Sequence, residues 1–398
     1  MPIPTPFHER TQALCTSYRW KDWAGYCAVC SYDTSHEREY FAFRESAGLL
    51  DVTPLYKYEV SGPDAAALLG RMMVRDVSKL KVGRVAYTCW CDDEGKVIDD
   101  GTVSRLDEDY FRVTAADPTF YWLQAVGRGL DVKIEDSSTR LAALALQGPT
   151  SRAILRGATG GSPQVETLKF FGVTRSEIDG IPVWVSRTGY TGDLGYEVWV
   201  ENGQALAIWD ALLAAGKPHG IEPAGLDALD VTRIEAGFVL LGVDYYSSKK
   251  VVLESRKSTP HELGFGWMVD LDRNFIGRDA IAAEMKRGSI WHLVGLEVSW
   301  SELEALYAGF NLPPSLPVTA SREGLPVYAE DGRQVGQATS HTWSPLLKKY
   351  LAIASVRAGS EAKGTKLQIE HTVEYERRRV TAIVAQPPFY DPERKRKP

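Results

Sequence analysis

Adjacent carboxylates at Asp99 and Asp100 sit in the middle of an alternating segment, where one of them could do acid–base work. They lie in CDDEGKVIDDGTV, Cys91 to Val103, where Asp92, Asp93, Glu94 and Gly95 separate two alternating apolar segments. That pattern predicts a β-hairpin with strands at Arg84–Cys91 and Lys96–Arg105. Successive side chains on a strand point to opposite faces, so one carboxylate is expected in solvent and the other inside. An inward carboxylate is costly without a partner and is therefore a site candidate; the plainer reading is an exposed turn, because Asp is ordinarily exposed. A second group is Arg187-Thr-Gly-Tyr-Thr-Gly-Asp-Leu-Gly-Tyr-Glu-Val198. Its glycines, Gly189, Gly192 and Gly195, fit a tight turn with close backbone approach between two strands. Glu197 can accept two N–H donors as a fork, the geometry wanted by a 2-amino-pyrimidinone edge such as a pterin or guanine. Tyr190 and Tyr196 stand near it, and a tyrosine offers a flat apolar wall. A glycine hairpin with a surface Glu fits the same residues.

Other chemistries have less support. Cys27-x-x-Cys30 and Cys89-x-Cys91 have the residue types of a four-thiolate metal site. The odd count of five cysteines and the core-like setting of Cys89 and Cys91 point instead to free thiols, and no metal is expected. There is no Gly-x-Ser-x-Gly elbow and no phosphate-cradling glycine loop. A net charge of −6 over 398 residues gives no electrostatic case for nucleic acid or an anionic membrane. No apolar run has the length of a membrane span, and Met1–Arg10 lacks a signal-peptide pattern, so the cytoplasm is the expected compartment.

The elements that must position these groups alternate between strand and helix. Helices are expected at Glu39–Ala47, Ala65–Met73, Pro118–Gly127, Gln204–Gly216 and Glu222–Gly237. A strand meander runs Arg84–Cys91, Lys96–Arg105, Tyr110–Thr114, and a similar arrangement recurs at Leu141–Gln147, Ile181–Arg187 and Tyr196–Glu201. Leu263–Val269 reads as a further strand, and Ser247–Thr259 as a surface loop rich in Lys and Ser. Hairpins between the helices favour an α+β class over a doubly wound sheet. Beyond Ile290 short strands alternate with Gly and Pro turns, which reads as a small all-β barrel or sandwich. The expected division is 1–140, 141–288 and 289–398.

Several blocks resemble the glycine-cleavage T-protein (aminomethyltransferase) family, and they fall in family order. Arg187–Val198 is similar to its TGYTGExGYE signature, Arg233–Gly237 to its RLEAG helix end and Gly95–Asp100 to its GGxxDD hairpin. Phe275–Ala280 is similar to DFIGREAL, and Leu146–Pro149 to another family block. The resemblance implies an α+β T-protein-like ring of two folate-binding α+β domains with antiparallel sheets and a C-terminal β-barrel, with tetrahydrofolate as co-substrate. By the same resemblance Glu197 holds the pterin edge, Tyr190 lies against the ring and Tyr87 contacts the folate. Arg233 meets a folate carboxylate or carbonyl, and Asp100 is the acid beside N5. A carboxylate there can orient the amine and take up its proton.

The chain also departs from the family pattern. Thr53-Pro54-Leu55 replaces Ser-His-Met, Ala116 replaces an Asn, Leu229 replaces an Arg, and Asp244-Tyr245 replaces an acidic-Met pair before a longer basic loop. The folate frame is thus retained while the face meeting the one-carbon donor is rebuilt. Tyr245, Tyr246, Trp90, Tyr121 and Trp122 suit a methyl-onium donor or an aryl ether, or are core aromatics. The expected activity is methyl transfer from a small O-, N- or S-methylated donor to N5 of tetrahydrofolate. Aminomethyl transfer from a lipoyl carrier protein is the alternative, and folate binding without catalysis is a third.

Overall fold

The computed structural model describes residues 1–397. After a short helix, a hairpin of β1 (Arg19–Trp23) and β2 (Tyr26–Ser31) precedes the helix Glu37–Glu45, then β3 (Ala47–Asp51) and β4 (Tyr56–Ser61). The helix Ala65–Met72 leads to β5 (Arg84–Cys91), β6 (Val97–Asp107) and β7 (Tyr110–Ala115). The helix Phe120–Val126, β8 (Lys133–Asp136) and β9 (Leu141–Gln147) follow. Next come β10 (Val173–Ile178), β11 (Ile181–Ser186), β12 (Gly195–Glu201), the helix Ala205–Gly216, β13 (Ile221–Pro223) and the helix Leu226–Glu235. The remaining strands are β14 (Trp291–Val298), β15 (Leu325–Ala329), β16 (Gln334–Ser344), β17 (Lys349–Arg357), β18 (Lys366–Val373) and β19 (Glu376–Ala385).

These form a five-stranded sheet of order β5-β6-β7-β4-β8, a six-stranded sheet of order β10-β11-β12-β9-β3-β13, and a closed barrel β14-β17-β16-β15-β18-β19. The barrel begins at Trp291, just beyond the expected boundary at 288. The boundary at 140 needs correction. β3 pairs antiparallel with β9, so Ala47–Asp51 belongs to the sheet of residues 141–223, while β1 and β2 form a separate two-stranded sheet and the first sheet is an excursion from Tyr56 to Asp136. Burial explains it. All seven residues of β9 and four of the five in β3 are buried, and apolar runs of this kind need cover on both faces.

Two other elements differ from expectation. The helix expected from Glu222 starts at Leu226, because Ile221–Pro223 is a strand parallel to β3 and Pro223 and Gly225 interrupt the helix. Leu263–Val269 is a chain of turns with a short 3₁₀ segment at Gly266–Met268, not a strand. Gly264 has φ +73° there, outside the extended region. Leu263, Phe265 and Met268 are nonetheless buried, and they cover the face of β5 that carries Tyr87, Cys89 and Cys91.

The opposite face of β5 and β6 is also covered. Trp90 and Val103 pack with Leu68, Leu69 and Met72 of one helix and Leu123 and Val126 of another. The first sheet therefore has no solvent face in its middle, and this determines what Asp99 and Asp100 can do.

Candidate active site

β5 and β6 pair antiparallel, with Asp100 opposite Cys89 and Asp99 opposite Trp90. Cross-strand partners share a face, so the two carboxylates point to opposite sides as period two requires. The expectation that one of them meets solvent is corrected: Asp99 is fully buried under the helical face. It accepts N–H groups from Asp100 at 2.8 Å, Ala116 at 3.0 Å and Asp117 at 2.9 Å, and so fixes the turn after β7. Gly101 lets this happen, because a Cβ there would stand 2.0 Å from the Thr114 carbonyl oxygen of the neighbouring strand. Burial and the adjacent Asp100 charge push the Asp99 carboxyl up, against the pull of its N–H donors.

Asp100 is half-buried and takes its partners from two different elements. Tyr87, on β5, donates to Oδ2 at 2.7 Å, and Tyr245 donates to Oδ1. Burial raises the Asp100 carboxyl above its ordinary value, and the two phenols oppose that rise by favouring the charged form. Tyr190 is close enough for the Asp100 charge to act on it. Its ring stacks on Phe238 at 5.5 Å, and its hydroxyl donates to the Val239 carbonyl. The structure thus brings Tyr87, Asp100, Tyr190 and Tyr245 together.

Glu197 stands apart, on β12, with its side chain on the face of Trp199 and Ser186. Its Oε2 accepts from Thr188 at 2.8 Å and from Ser186 at 3.4 Å, while Oε1 takes no hydrogen bond from the described residues. Burial raises this carboxyl, and the two hydroxyls pull it back. The glycine turn beside it closes around Gln147, whose amide donates to the carbonyls of Thr188 and Tyr196. A Cβ at Gly189 or Gly195 would stand 1.9 or 2.2 Å from Gln147 Oε1, which is why both positions are glycine. Tyr196 lies on the other face and is buried in the second core.

Four sequence expectations change. Trp90 is fully buried among the helices on the side away from Asp100, so it does not line the site. Tyr121 is 82% exposed on the outer side of its helix. Tyr246 is half-buried under Arg256, 5.7 Å from the ring, and makes no bond to Asp100. Arg233, expected against the folate, is fully buried and already committed: it donates to Asp230 at 3.1 Å, Asp244 at 2.6 Å and Ser340 at 2.8 Å. Asp244 in turn accepts from Leu240 N–H at 2.8 Å and from Thr339 and Ser340 hydroxyls, both at 2.6 Å. This hub fixes the loop 238–246 between the helix Leu226–Glu235 and the barrel strand β16. Sequence reasoning missed it because Thr339 and Ser340 lie far along the chain, in a bulged strand without a motif.

The cysteines are free. Cys27 and Cys30 lie on β2, Cys89 and Cys91 on β5, and no cluster of three or more metal-ligating side chains occurs among the described residues. No helix among them is long and apolar enough to cross a membrane.

Comparison with known proteins agrees with this geometry. The GCVT N-terminal domain model matches residues 7–273, and the glycine cleavage T-protein C-terminal barrel domain model matches 307–391. An aminomethyltransferase of Bacillus cytotoxicus is 34% identical over 364 residues, covering 90% of this chain and 90% of its own length. A trimethylamine-oxide aldolase of Ruegeria pomeroyi is 35% identical over 408 residues; the match takes in 98% of this chain but 47% of that protein, so the chain spans about half of that relative. The crystal structure of glycine cleavage system aminomethyltransferase T from Bartonella henselae superposes with a TM-score of 0.82 at 24% identity, covering 98% and 99% of the two chains, and shows the same fold. Enzymes of this family use tetrahydrofolate as co-substrate. The chain belongs to the glycine-cleavage T-protein family and is a tetrahydrofolate-dependent transferase.

Proposed function

We propose that this protein transfers a methyl group from a small O-, N- or S-methylated donor to N5 of tetrahydrofolate, with Asp100 as the catalytic residue. The observation that carries the reading is the Asp100 carboxylate, half-buried and gripped by two phenols at a place where the first sheet, the glycine turn and the loop 238–246 converge. Folate supplies a secondary amine nucleophile, N5. Asp100 orients that amine and accepts the proton it gives up as the N5–carbon bond forms and the methyl–heteroatom bond breaks, its electron pair leaving with the donor's O, N or S atom. Glu197, with Oε1 open and Oε2 held by hydroxyls, suits the N–H donors of a pterin edge, and Tyr87 and Tyr190 flank the acid. The fit is one of donor and acceptor types: a carboxylate for the pterin N–H groups and a second one for the amine.

The donor side supports a small methylated compound over a carrier-bound one. The relative matched over 98% of this chain is named for trimethylamine oxide, whereas Tyr245 is buried on Asp100 and does not bear on the donor. The second reading is aminomethyl transfer from a lipoyl carrier protein, favoured by the 90% mutual coverage with an aminomethyltransferase. Incubating the protein with tetrahydrofolate and a donor panel tests both. Trimethylamine N-oxide, a methylsulfonium, an aryl methyl ether and an aminomethylated lipoyl carrier are supplied separately, and the folate products are resolved by chromatography. 5-Methyl-tetrahydrofolate from a small donor is the expected result. Methylene-tetrahydrofolate and ammonia from the lipoyl carrier alone would replace it with the second reading.

A further inference from the structure

We infer that Tyr245 is a positioning residue for the transfer, holding the Asp100 carboxylate by the oxygen that Tyr87 does not reach. The inference rests on the reading of Asp100 as the proton acceptor and adds to it the means by which that acid is aimed. Tyr87 donates to Oδ2 and Tyr245 to Oδ1, so neither oxygen can swing away without breaking a charge-assisted bond. Tyr245 is 1% exposed, packed with Cys89, Val239 and Phe265, and leaves no wall for a donor molecule.

Its own position is determined from outside the acid site. Asp244, the preceding residue, takes donors from Arg233, Leu240, Thr339 and Ser340, so the barrel and the helix Leu226–Glu235 set where the phenol stands. Tyr190 holds the same loop from the glycine turn through the Val239 carbonyl. The loop therefore connects the barrel to the acid through one side chain. A buried carboxylate with one phenol could rotate about its Cβ–Cγ bond. With two, one from β5 and one from the loop 238–246, that rotation breaks a bond at either oxygen.

The groups that face Asp100 are the phenols of Tyr87 and Tyr245, Tyr190 from the turn and the Cys89 thiol on the partner strand, while the Asp99 charge acts on it from the opposite face. None of these carries a positive charge; Arg233, in the adjoining network, is paired with Asp230 and Asp244, and Arg75 donates to the Tyr87 carbonyl. The two phenols are thus the only side-chain hydrogen-bond donors to this carboxylate among the described residues, and losing one has a readable consequence.

Tyr245→Phe keeps the ring and removes the donor. The carboxyl band assigned to Asp100 by its loss in Asp100→Asn is titrated by infrared spectroscopy on ¹³C-aspartate-labelled protein. Its midpoint is expected higher in Tyr245→Phe, because the charged form has lost a donor. With whichever donor the unmodified protein accepts, kcat/KM at neutral pH falls roughly ten- to a hundredfold and its acid limb moves up with the midpoint. Tetrahydrofolate affinity changes little, and the thermal midpoint falls by no more than the loss of one charge-assisted hydrogen bond accounts for. An unmoved titration overturns the inference, as does a uniform loss of rate at every pH, which marks a packing role. A displaced titration in a protein that transfers carbon from no donor keeps the positioning role and overturns the proposed function instead.

Discussion

Two carboxylates, Asp100 on the first sheet and Glu197 on the second, sit in comparable half-buried settings and are held in opposite ways. Asp100 has a phenol on each oxygen. Glu197 has both of its hydroxyl partners on one oxygen and leaves the other open. A carboxylate fixed at both ends keeps its direction and gives up little further hydrogen bonding, which suits a group that must take one proton. A carboxylate anchored at one end still has accepting capacity, which suits a group that must recognise two N–H donors. Under the proposed function, the difference gives rate to the first sheet and affinity to the second.

The sharpest way to break that division is to neutralise each acid. Asp100→Asn keeps the shape and an acceptor but cannot take a proton. The expected loss in kcat is about 10²- to 10⁴-fold with tetrahydrofolate binding retained, measured by turnover and by calorimetry. Because burial raises the Asp100 carboxyl and the acceptor must be ionised, the unmodified enzyme gains rate as pH rises through a midpoint above the ordinary carboxylate range; no such limb remains in Asp100→Asn. Glu197→Ala is the converse. It should weaken tetrahydrofolate binding by about 1–3 kcal/mol, since the N–H donors lose their acceptor, while kcat at saturating folate stays near that of the parent. Equal effects of the two substitutions on rate and affinity would remove the distinction.

Much of this was legible in the chain before any coordinates. The hairpin turn at Asp92–Gly95, the period-two strands around it and the glycine spacing at 189–195 are local signals, and local signals survive in a sequence. Alternation along β5 and β6 also contains more than was read from it. Trp90 and Asp99 are cross-strand partners and share the helical face, so Trp90 could not have lined a site built on Asp100. What the chain could not show is cover. Whether the face behind Asp99 meets water depends on helices at 65–72 and 120–126 folding back over it. The task of Arg233 likewise depends on Ser340, in a barrel strand more than a hundred residues away. Tyr245 stood out because of its type, but a bond to Asp100 across 145 residues has no spacing to betray it.

A second comparison, between the adjacent acids, predicts an effect of a different kind. Asp99 touches only backbone N–H groups, three of them, and it is fully buried. Asp99→Asn places an amide, with its own N–H groups, against those donors. The expected cost is about 1–3 kcal/mol of stability in a denaturant titration, from donors left without an acceptor. Any loss of rate should track the loss of fold, and the pH limb should remain, which is where Asp99 and Asp100 part.

The smallest effect is expected furthest from both acids. Tyr121 was a reasonable candidate wall for a methylated donor, yet its ring is 82% exposed and its helix buries Leu123 and Val126 instead. The ring's aromatic partner is Phe120, met edge-on at the surface, and a surface substitution of this kind changes stability within about 0.5 kcal/mol. Tyr121→Ala should therefore leave the thermal midpoint, tetrahydrofolate affinity and the ranking of donors in the panel as they are. A change in donor ranking without a change in stability would show that the donor meets the outer side of this helix, and the division between a rate-setting first sheet and an affinity-setting second one would have to include a third surface.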